Sequence, residues 1–596
     1  MGPVPVSAGQ WLERPAISRR RFVQGLGGGA LLASPLRHLC RGAQPPEGSV
    51  LIGPDFDLTI AETAVNFTGR ERTATAVNSQ LPAPLLRMRQ GDTVTLRVTN
   101  RLAVRSSIHW HGFILPADMD GVPGLSFRGI DPGDTFVYRF RVDQSGTYWY
   151  HAHSRFQEQT GLYGPIVIEP RRGERHTSDR EHVVLLSDWS DADPEWLFAT
   201  LKRQSDYFNF HKRTVGDFFG DVRARGLRET SADRRGWGVM RMDPSDLADV
   251  GGATYTYLMN GATPANNWTA RFERGERIRL RFINGSSMSF FDVRIPGLKL
   301  TVVAADGQDV EPVTVDEFRL GTAEVLDVMV TPSAERAYTI FAQSMDRSGY
   351  ARGTLTPQPG MTAEVPALDP RVLISMSDLG MAHDMSHMGH GMSDAEAGAM
   401  AGMAGMEHAG DATAASRGAS PRFGPTVDMV VKQPTSRLDD PGPGLRENGR
   451  RVLSYADLHT LGGPIDARAA ERDIELHLTG HMERYVWSFN GRKFSEAEPL
   501  QFAFGERVRI LVVNDTMMTH PIHLHGMWSE LEAEDGSFLV RKHTVSVQPG
   551  QRVSYGVTAD APGRWAYHCH LLYHMEAGMF REVVVARSAA GVSRQG

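Results

Sequence analysis

Eight of the 22 histidines in this sequence form four pairs, and in each pair a single residue separates the two histidines. Alternate residues of a β-strand point to the same face, so a strand that carries such a pair presents two imidazoles side by side. Imidazole is the commonest metal ligand in proteins. If the pairs converge, their eight imidazoles divide into three, three and two, which suits a cluster of three metal ions. The pairs are His109-Trp110-His111, His151-Ala152-His153, His523-Leu524-His525 and His568-Cys569-His570.

The fourth pair encloses Cys569, and this cysteine predicts a second metal centre. On a strand, Cys569 points away from the histidines on either side of it. His520 and His574 are available on that opposite face, and Met579 follows His574 by five residues across a turn at Gly578. A thiolate, two imidazoles and a weak axial thioether form the blue-copper electron-transfer set.

The donor types favour copper over zinc. Zinc has no redox role and prefers a closed tetrahedral site or one open catalytic position. Copper accepts thiolate, thioether and imidazole ligands and cycles by one electron. A one-electron site joined through one residue to a three-metal cluster predicts the accumulation of four electrons, the number that reduces dioxygen to two waters.

Short strands must position these ligands. Apolar residues alternate with polar ones in "DTVTLRVTN", "DTFVYRFRV", "RIRLRFIN" and "RVRILVVND", and Gly, Pro and Asp turns separate such segments. Amphipathic helical patterns are few. The sequence therefore predicts an all-β protein of Greek-key β-sandwich domains.

The strand patterns repeat on the scale of a domain. One pattern, a turn with glycine followed by an alternating strand, occurs three times, at residues 87–100, 272–285 and 502–515. Gly133 precedes His151 by eighteen residues, and Gly550 precedes His568 by the same eighteen. The corresponding region at 325–349 has no histidine, so the first and third domains should carry the metal ligands, with the second as a spacer.

These repeats divide the 596 residues into segments with different compositions. A long segment rich in Pro, Ala, Gly and Met separates the second and third domains and predicts a linker without a core. The predicted ranges are a leader at 1–45, domain 1 at 46–172, domain 2 at 173–355 with an insertion at 201–250, the linker at 356–435 and domain 3 at 436–590.

The leader predicts export from the cytoplasm. Ser18-Arg19-Arg20-Arg21-Phe22-Val23 has the twin-arginine form and precedes a short apolar run. That route indicates a folded protein delivered to the periplasm, and no other stretch is long and apolar enough to span a membrane. Of the two cysteines, Cys40 lies in the leader, which leaves Cys569 as a ligand rather than half of a disulfide. A net charge of −6 with scattered Lys and Arg gives no reason to expect a nucleic-acid partner.

The motifs "HWHG", "HAH", "HPIHLHG" and "HCHLLYHMEAGM" resemble the four copper motifs of the multicopper oxidases and occur in that family's order. The resemblance covers nearly the whole chain after the leader and implies three cupredoxin-like domains. Two stretches, "THPIHLHGMWSELE" and "GRWAYHCHLLYHMEAGMF", are most similar to the bacterial copper-resistance members of the family.

The resemblance implies four copper ions and a role for each motif residue. Asp120 resembles the acid that assists proton delivery to oxygen, although it could equally cap the turn at Gly121. How the type 3 ligands divide between two ions stays open. The implied ligands are His520, Cys569, His574 and Met579 for type 1 copper; His109 and His523 for type 2; and His111, His151, His153, His525, His568 and His570 for the type 3 pair.

A methionine- and histidine-rich stretch at 381–408 suggests the substrate. Thioethers are soft donors that favour Cu(I), and this stretch has too few branched or aromatic residues for a core; a low-complexity linker is the alternative. Near the blue site, Met518 and Glu576 could lie on the solvent side, where related cuprous oxidases bind substrate copper, and Asp515 is a further candidate. Packing for Met518 and a solvated loop for Glu576 are the alternatives. The candidates in the stretch itself are Met381, Met385, Met388 and Met392.

The leading hypothesis is an exported enzyme that oxidises Cu(I) and reduces O₂, giving copper resistance. A laccase-like oxidase of phenols or aromatic amines would need an open pocket at the blue site. A periplasmic copper-sequestering protein would not need an oxygen cluster. We expect a monomer, because three domains in one chain can build the cluster, with periplasmic copper-handling proteins as possible partners.

Overall fold

The structure is a computed structural model that describes residues 49–381 and 421–587. The predicted leader at 1–45 and the candidates Met385, Met388 and Met392 lie outside the described residues.

The first sandwich packs a four-stranded sheet, in the order β3-β2-β5-β7, with a five-stranded sheet, in the order β1-β4-β9-β8-β6. Strand β5 shows why these segments form sheets: Val94, Leu96 and Val98 are buried while the residues between them face outward. The strands are β1 (Val50–Ile52), β2 (Asp55–Val65), β3 (Arg72–Val77), β4 (Leu85–Arg89), β5 (Thr93–Asn100), β6 (His109–His111), β7 (Thr135–Arg141), β8 (Gly146–His151) and β9 (Tyr163–Glu169).

The second sandwich pairs a six-stranded sheet, β11-β10-β13-β18-β15-β16, with a five-stranded sheet, β12-β20-β19-β14-β17. Its strands are β10 (Arg180–Trp189), β11 (Thr256–Met259), β12 (Trp268–Arg271), β13 (Ile278–Asn284), β14 (Phe291–Arg294), β15 (Leu300–Ala305), β16 (Gln308–Val315), β17 (Glu317–Leu320), β18 (Val325–Val330), β19 (Tyr338–Ser344) and β20 (Tyr350–Thr356).

The third sandwich has the same topology as the second, with sheets β22-β21-β24-β29-β26-β27 and β23-β31-β30-β25-β28. Its strands are β21 (Arg472–His481), β22 (Val486–Phe489), β23 (Leu500–Ala503), β24 (Arg507–Asn514), β25 (His520–Leu524), β26 (Ser529–Glu532), β27 (Phe538–Lys542), β28 (Thr544–Val547), β29 (Arg552–Thr558), β30 (Gly563–Cys569) and β31 (Phe580–Ala586).

The strand register confirms the repeat that was predicted from histidine spacing. In the first sandwich β6 pairs with β8, and His109 lies opposite His151. In the third sandwich β25 pairs with β30, and His523 lies opposite His568. The equivalent pair in the second sandwich, β14 with β19, carries no histidine. The prediction of an all-β fold with three β-sandwiches is therefore confirmed.

Helices are few among the described residues. Three follow one another between β10 and β11 of the second sandwich: α1 (Pro194–Arg203), α2 (Val215–Arg225) and α3 (Leu227–Met240). The short α4 (Leu572–Glu576) follows β30. Asp193 caps α1, because its side chain accepts a hydrogen bond from the Glu195 amide. None of the helices in 49–381 or 421–587 has the length and apolar character that crossing a bilayer requires.

The described parts of the predicted linker are packed against the sandwiches. Val372, Ile374, Val427 and Met429 are all buried. The amide of Val431 donates a 2.8 Å hydrogen bond to Asp515 at the end of β24. These stretches thus contribute core residues, which the composition of the linker had not predicted.

Candidate metal centres

The first centre lies inside the third sandwich. The Sγ atom of Cys569 is 3.5 Å from His520 Nδ1 and 3.9 Å from His574 Nδ1, and the two Nδ1 atoms are 3.1 Å apart. All three residues are 0% exposed. Strand β25 supplies one imidazole, β30 the thiol and α4 the other imidazole, so three adjacent elements bring the donors together.

The far nitrogen of each imidazole is held in place. His574 Nε2–H donates to Asp249 Oδ2 over 2.7 Å, and His520 Nε2 is 2.7 Å from the Thr516 hydroxyl. A neutral imidazole with its proton on Nε2 presents a lone pair at Nδ1, which is the nitrogen that faces Cys569. Such outer contacts orient metal ligands and fix their tautomer.

Met579 closes this end of the site. It is fully buried, its amide donates to the His574 carbonyl at 3.0 Å, and its own carbonyl accepts from the Cys569 amide at 3.1 Å. The indole of Trp487 stacks on the His574 ring with 3.9 Å between centroids. These contacts fix the turn after α4 beside the thiol.

The second centre lies between the first and third sandwiches, where the eight paired histidines converge. His568 Nε2 is 3.3 Å from His153 Nε2 and 3.1 Å from His525 Nε2. On the other side, His570 Nε2 is 3.3 Å from His151 Nε2. Cys569 lies between His568 and His570 but faces the other way, toward His520 and His574. The side chains of this strand thus face two different centres, as strand alternation predicts.

Most of these imidazoles are anchored through Nδ1, which leaves Nε2 facing the centre. His109 Nδ1 lies 2.8 Å from the Asp120 carbonyl, and His523 Nδ1 lies 2.6 Å from the His543 carbonyl. His568 Nδ1 likewise contacts the Cys569 carbonyl at 2.9 Å. Each ring is therefore held by an acceptor on the chain.

Several inward nitrogens are buried without a hydrogen-bond partner among the described residues. They include Nε2 of His109, Nε2 of His523 and Nδ1 of His111. Buried polar atoms are normally paired, and a lone pair that faces other imidazoles can be satisfied by a metal ion. This chemistry, soft sulfur with imidazole in one centre and imidazole alone in the other, fits copper.

Burial sets the protonation of both donor sets. It lowers the pKa of His520 well below the usual value, and the neighbouring His574 lowers it further. Burial also lowers the pKa of His523 and His525, with repulsion between imidazoles adding to the effect. Burial raises the pKa of the Cys569 thiol. His520, His523 and His525 are thus held neutral, as ligands must be, and metal binding would release the thiol proton of Cys569.

Asp120 lies against the imidazole centre, as the resemblance implied. Its Oδ2 accepts from His525 Nδ1 at 2.9 Å, and its Oδ1 is 3.3 Å from His109 Nδ1. Gly121 has a φ of +82°, and a Cβ there would lie 1.9 Å from the Ile108 carbonyl oxygen. Only glycine lets this turn approach β6 so closely.

The substrate-copper candidates do not form one exposed group. Met518 and Asp515 are buried, so the expectation of a solvent-side position for Met518 is wrong; Asp515 instead bonds His477 Nδ1 at 2.6 Å. Glu576 is partly exposed, but its carboxylate pairs with Arg155. Met381 is half-buried against the main core. Asp515 and Met518 both come after β24, and their side chains lie in the interior of the third sandwich rather than at its surface.

Three residues near the centres were missed by sequence reasoning. Asp249 holds His574, Glu158 Oε2 lies 2.6 Å from His151 Nδ1, and His543 contacts His111. Asp249 and Glu158 belong to no paired motif, and His543 is a single histidine before β28. It lies between the end of β27 and the start of β28, in "RKHTVSV", and no spacing to another histidine marks it.

A cavity of about 390 Å³ opens beside the imidazole centre. His153, which is the partly exposed member of the eight, lies in its wall together with Val122, Ala577 and Phe580. The ring of Phe580 stacks on His568 with 5.7 Å between centroids. The cavity therefore reaches one of the eight imidazoles, His153.

A buried cysteine–imidazole site, joined through one strand to an interdomain cluster of imidazoles, defines a copper-dependent oxidoreductase. Models of the multicopper oxidase family match residues 59–173, 180–360 and 468–589. The chain belongs to the multicopper oxidase family.

Curated relatives match nearly the whole chain. "Copper resistance protein A" of Pseudomonas syringae pv. tomato is 58% identical, and the match covers 95% of this chain and 99% of that protein. "Copper resistance protein A" of Escherichia coli is also 58% identical, over 91% and 94% of the two chains. "Multicopper oxidase MmcO" of Mycobacterium tuberculosis is 30% identical, over 97% and 98%.

Solved structures share the three-domain, cupredoxin-like fold. The laccase from Botrytis aclada matches with a TM-score of 0.63 and 20% identity, over 92% of this chain and 90% of that one. Fet3p, a multicopper oxidase that functions in iron import, matches with a TM-score of 0.62 and 18% identity, over 90% of each chain.

Proposed function

We propose that this multicopper oxidase oxidises Cu(I) to Cu(II) in the periplasm and thereby gives copper resistance. Four Cu(I) ions, one dioxygen molecule and four protons would yield four Cu(II) ions and two waters. Support comes from the relatives named for copper resistance, which are similar over almost their full length. The twin-arginine leader supports export, and the single-chain cluster supports a monomer that exchanges copper with periplasmic copper-handling proteins.

We assign four copper ions to the two centres. Type 1 copper would take His520, Cys569, His574 and Met579, and type 2 copper would take His109 and His523. The contacts at 3.1–3.3 Å favour one type 3 ion bound by His153, His525 and His568. His111, His151 and His570 would then hold the other type 3 ion.

The observation that carries the proposal is the position of Cys569 between two ligands of the other centre. Bound copper supplies one-electron redox chemistry at the first centre and dioxygen reduction at the second. The backbone from Cys569 to His568 and His570 gives a short covalent route between them. Asp120 would deliver protons, which its contacts with two imidazoles of the cluster support.

Cu(I) fits the first centre better than a phenol does. A phenol ring needs contact with the edge of a ligand imidazole, whereas His520 and His574 are both 0% exposed and Asp249 occupies His574 Nε2. The soft thioethers of the Met/His-rich stretch at 381–408 would bind Cu(I) and raise its local concentration. Glu576, two residues after His574, remains the acidic candidate nearest the surface, although Arg155 competes for it.

Oxygen uptake by the copper-loaded protein tests the proposal. We expect uptake with Cu(I), little uptake with a phenol such as 2,6-dimethoxyphenol, and a higher KM for Cu(I) when residues 382–408 are deleted. Cys569→Ser should lose the blue absorption and all turnover, because serine cannot supply the thiolate. Phenol oxidation without Cu(I)-dependent uptake would replace this proposal with a laccase, and copper binding without either activity would replace it with sequestration.

A further inference from the structure

A ninth buried histidine, His543, lies beside the eight paired imidazoles. Its backbone is fixed on both sides: its carbonyl accepts from His523 Nδ1 at 2.6 Å, and its amide donates to Asp306 Oδ2 at 3.2 Å. The neighbouring Thr544 amide also donates to Asp306 Oδ2 at 3.2 Å. The side chain of residue 543 therefore starts from a well-determined position next to the cluster.

The rings of His543 and His111 are nearly perpendicular, at 81°, with 4.6 Å between their centroids. His543 Nδ1 is 3.1 Å from His111 Nε2, and the Thr544 hydroxyl is 3.1 Å from the same nitrogen and 3.2 Å from His543 Nδ1. Gly112 leaves room for this ring, because a Cβ there would lie 2.4 Å from His543 Cδ2. Trp528 stacks on the opposite side, with 6.2 Å between centroids.

His111 differs from its neighbours in the nitrogen that it turns inward. His109 and His523 hold Nδ1 against a carbonyl and have an unpartnered Nε2, whereas His111 has an unpartnered Nδ1 and places Nε2 outward. A neutral imidazole has one N–H and one lone pair. If Nδ1 is to donate a lone pair to a metal, the proton must be on Nε2 and needs an acceptor there.

We propose that His543 is a positioning residue that holds His111 in the tautomer with a free Nδ1 lone pair. Its own Nδ1 accepts from His111 Nε2–H, and the Thr544 hydroxyl is the second acceptor. One residue thereby orients two cluster ligands, His523 through its carbonyl and His111 through its ring. The inference rests on the proposed copper cluster and adds a residue outside the eight paired histidines.

Replacement of the ring separates these two roles, because any residue at 543 keeps the carbonyl that holds His523. His543→Leu should weaken copper binding at the cluster about 10- to 100-fold. The readouts are copper ions per chain after dialysis against a graded chelator, and the near-ultraviolet absorption of the coupled pair. Blue absorption at Cys569 should be unchanged and reports that the chain is folded.

His543→Asn is the matched variant, because its amide oxygen can replace Nδ1 as an acceptor; it should retain most of the cluster copper. Thr544→Val should cause a smaller loss than His543→Leu. Full cluster copper in His543→Leu, or equal losses in the leucine and asparagine variants with blue colour intact, would overturn the inference. If the leucine variant does not fold, loss of cluster copper in the asparagine variant alone would likewise overturn the inference. Wild-type protein without cluster copper would instead contradict the proposed function.

Discussion

Most of the imidazoles that we propose as ligands use their second nitrogen as an anchor. At the first centre the anchors are the Thr516 hydroxyl and the Asp249 carboxylate; at the second they are carbonyls, Asp120 and His543. A side chain held in this way loses little rotational freedom when it binds a metal. The site geometry thus depends on residues that no ligand motif contains.

Asp249 should tune the first centre as well as hold it. In Asp249→Asn the amide oxygen can still accept from His574 Nε2–H, but a buried negative charge is removed. Because that charge stabilises the oxidised metal, we expect blue absorption to persist and the reduction potential to rise. A redox titration measures this change, in which about 59 mV corresponds to a tenfold shift in the equilibrium.

Tyr485→Phe is the control for Asp249, since the Tyr485 hydroxyl donates to the same Oδ2 at 2.7 Å and its loss leaves the carboxylate charged. The phenylalanine variant should shift the potential less than Asp249→Asn does. An unchanged potential in Asp249→Asn would mean that the carboxylate acts only as a tether.

Strand alternation made much of the candidate site predictable. The i, i+2 pairs identified which imidazoles share a face, and the position of Cys569 assigned it to the opposite one. What alternation cannot show is which element covers a face. Asp249 comes from the segment after α3, and His543 reaches His111 across 432 residues of sequence. Such contacts depend on how distant elements pack, and the local sequence of neither partner records them.

The cavity between α4 and the Val122 turn should control access to the imidazole centre. Ala577 lies in its wall, so Ala577→Phe would fill part of the space of about 390 Å³. We expect a higher KM for dioxygen, by several-fold, with unchanged blue absorption and unchanged copper content. Oxygen uptake at graded oxygen concentrations measures the effect.

Ile465→Phe provides a matched control for that substitution. Ile465 borders a separate cavity of about 370 Å³ that is lined by Gln144, Arg507 and Trp528. A phenylalanine there should leave the KM for dioxygen as in the wild type. If the two variants raise KM equally, the cavity beside His153 is not the route.

Across the whole molecule, buried polar contacts join the sandwiches. Strand β13 alternates as predicted, yet Arg279 and Arg281, which alternation would place in solvent, are both buried. Arg281 bonds Asp327 at 2.8 Å and the Thr147 hydroxyl of the first sandwich at 2.9 Å. A period-two pattern identifies the strand but cannot reveal that a second domain covers its polar face.

Asp292 should make the stability of the molecule sensitive to acid. Burial alone would raise its pKa, but Arg319 and Arg347 outweigh burial and hold the pKa below the usual value. Both arginines also donate to the 443–444 backbone, which ties the approach to the third sandwich onto the second. This stabilisation is present above the unfolded pKa of about 3.9 and is lost as pH falls through the lower folded value.

Asp292→Asn should therefore reduce the free energy of unfolding at pH 7 by about 3–5 kcal/mol, because two buried guanidinium groups lose their partner. It should also flatten the loss of stability below about pH 4. Urea unfolding at several pH values tests both effects. Asp57→Asn, at a carboxylate that is 84% exposed and pairs with Arg97, should cost less than about 1 kcal/mol.

The imidazole cluster also determines when the enzyme can become active. His153 and His568 meet although 415 residues separate them, and each sandwich contributes only half of the ring of ligands. A chain cut short before β25 can form the first sandwich yet holds four imidazoles with nothing opposite them. Copper uptake by the proposed cluster would thus report that the first and third sandwiches have docked.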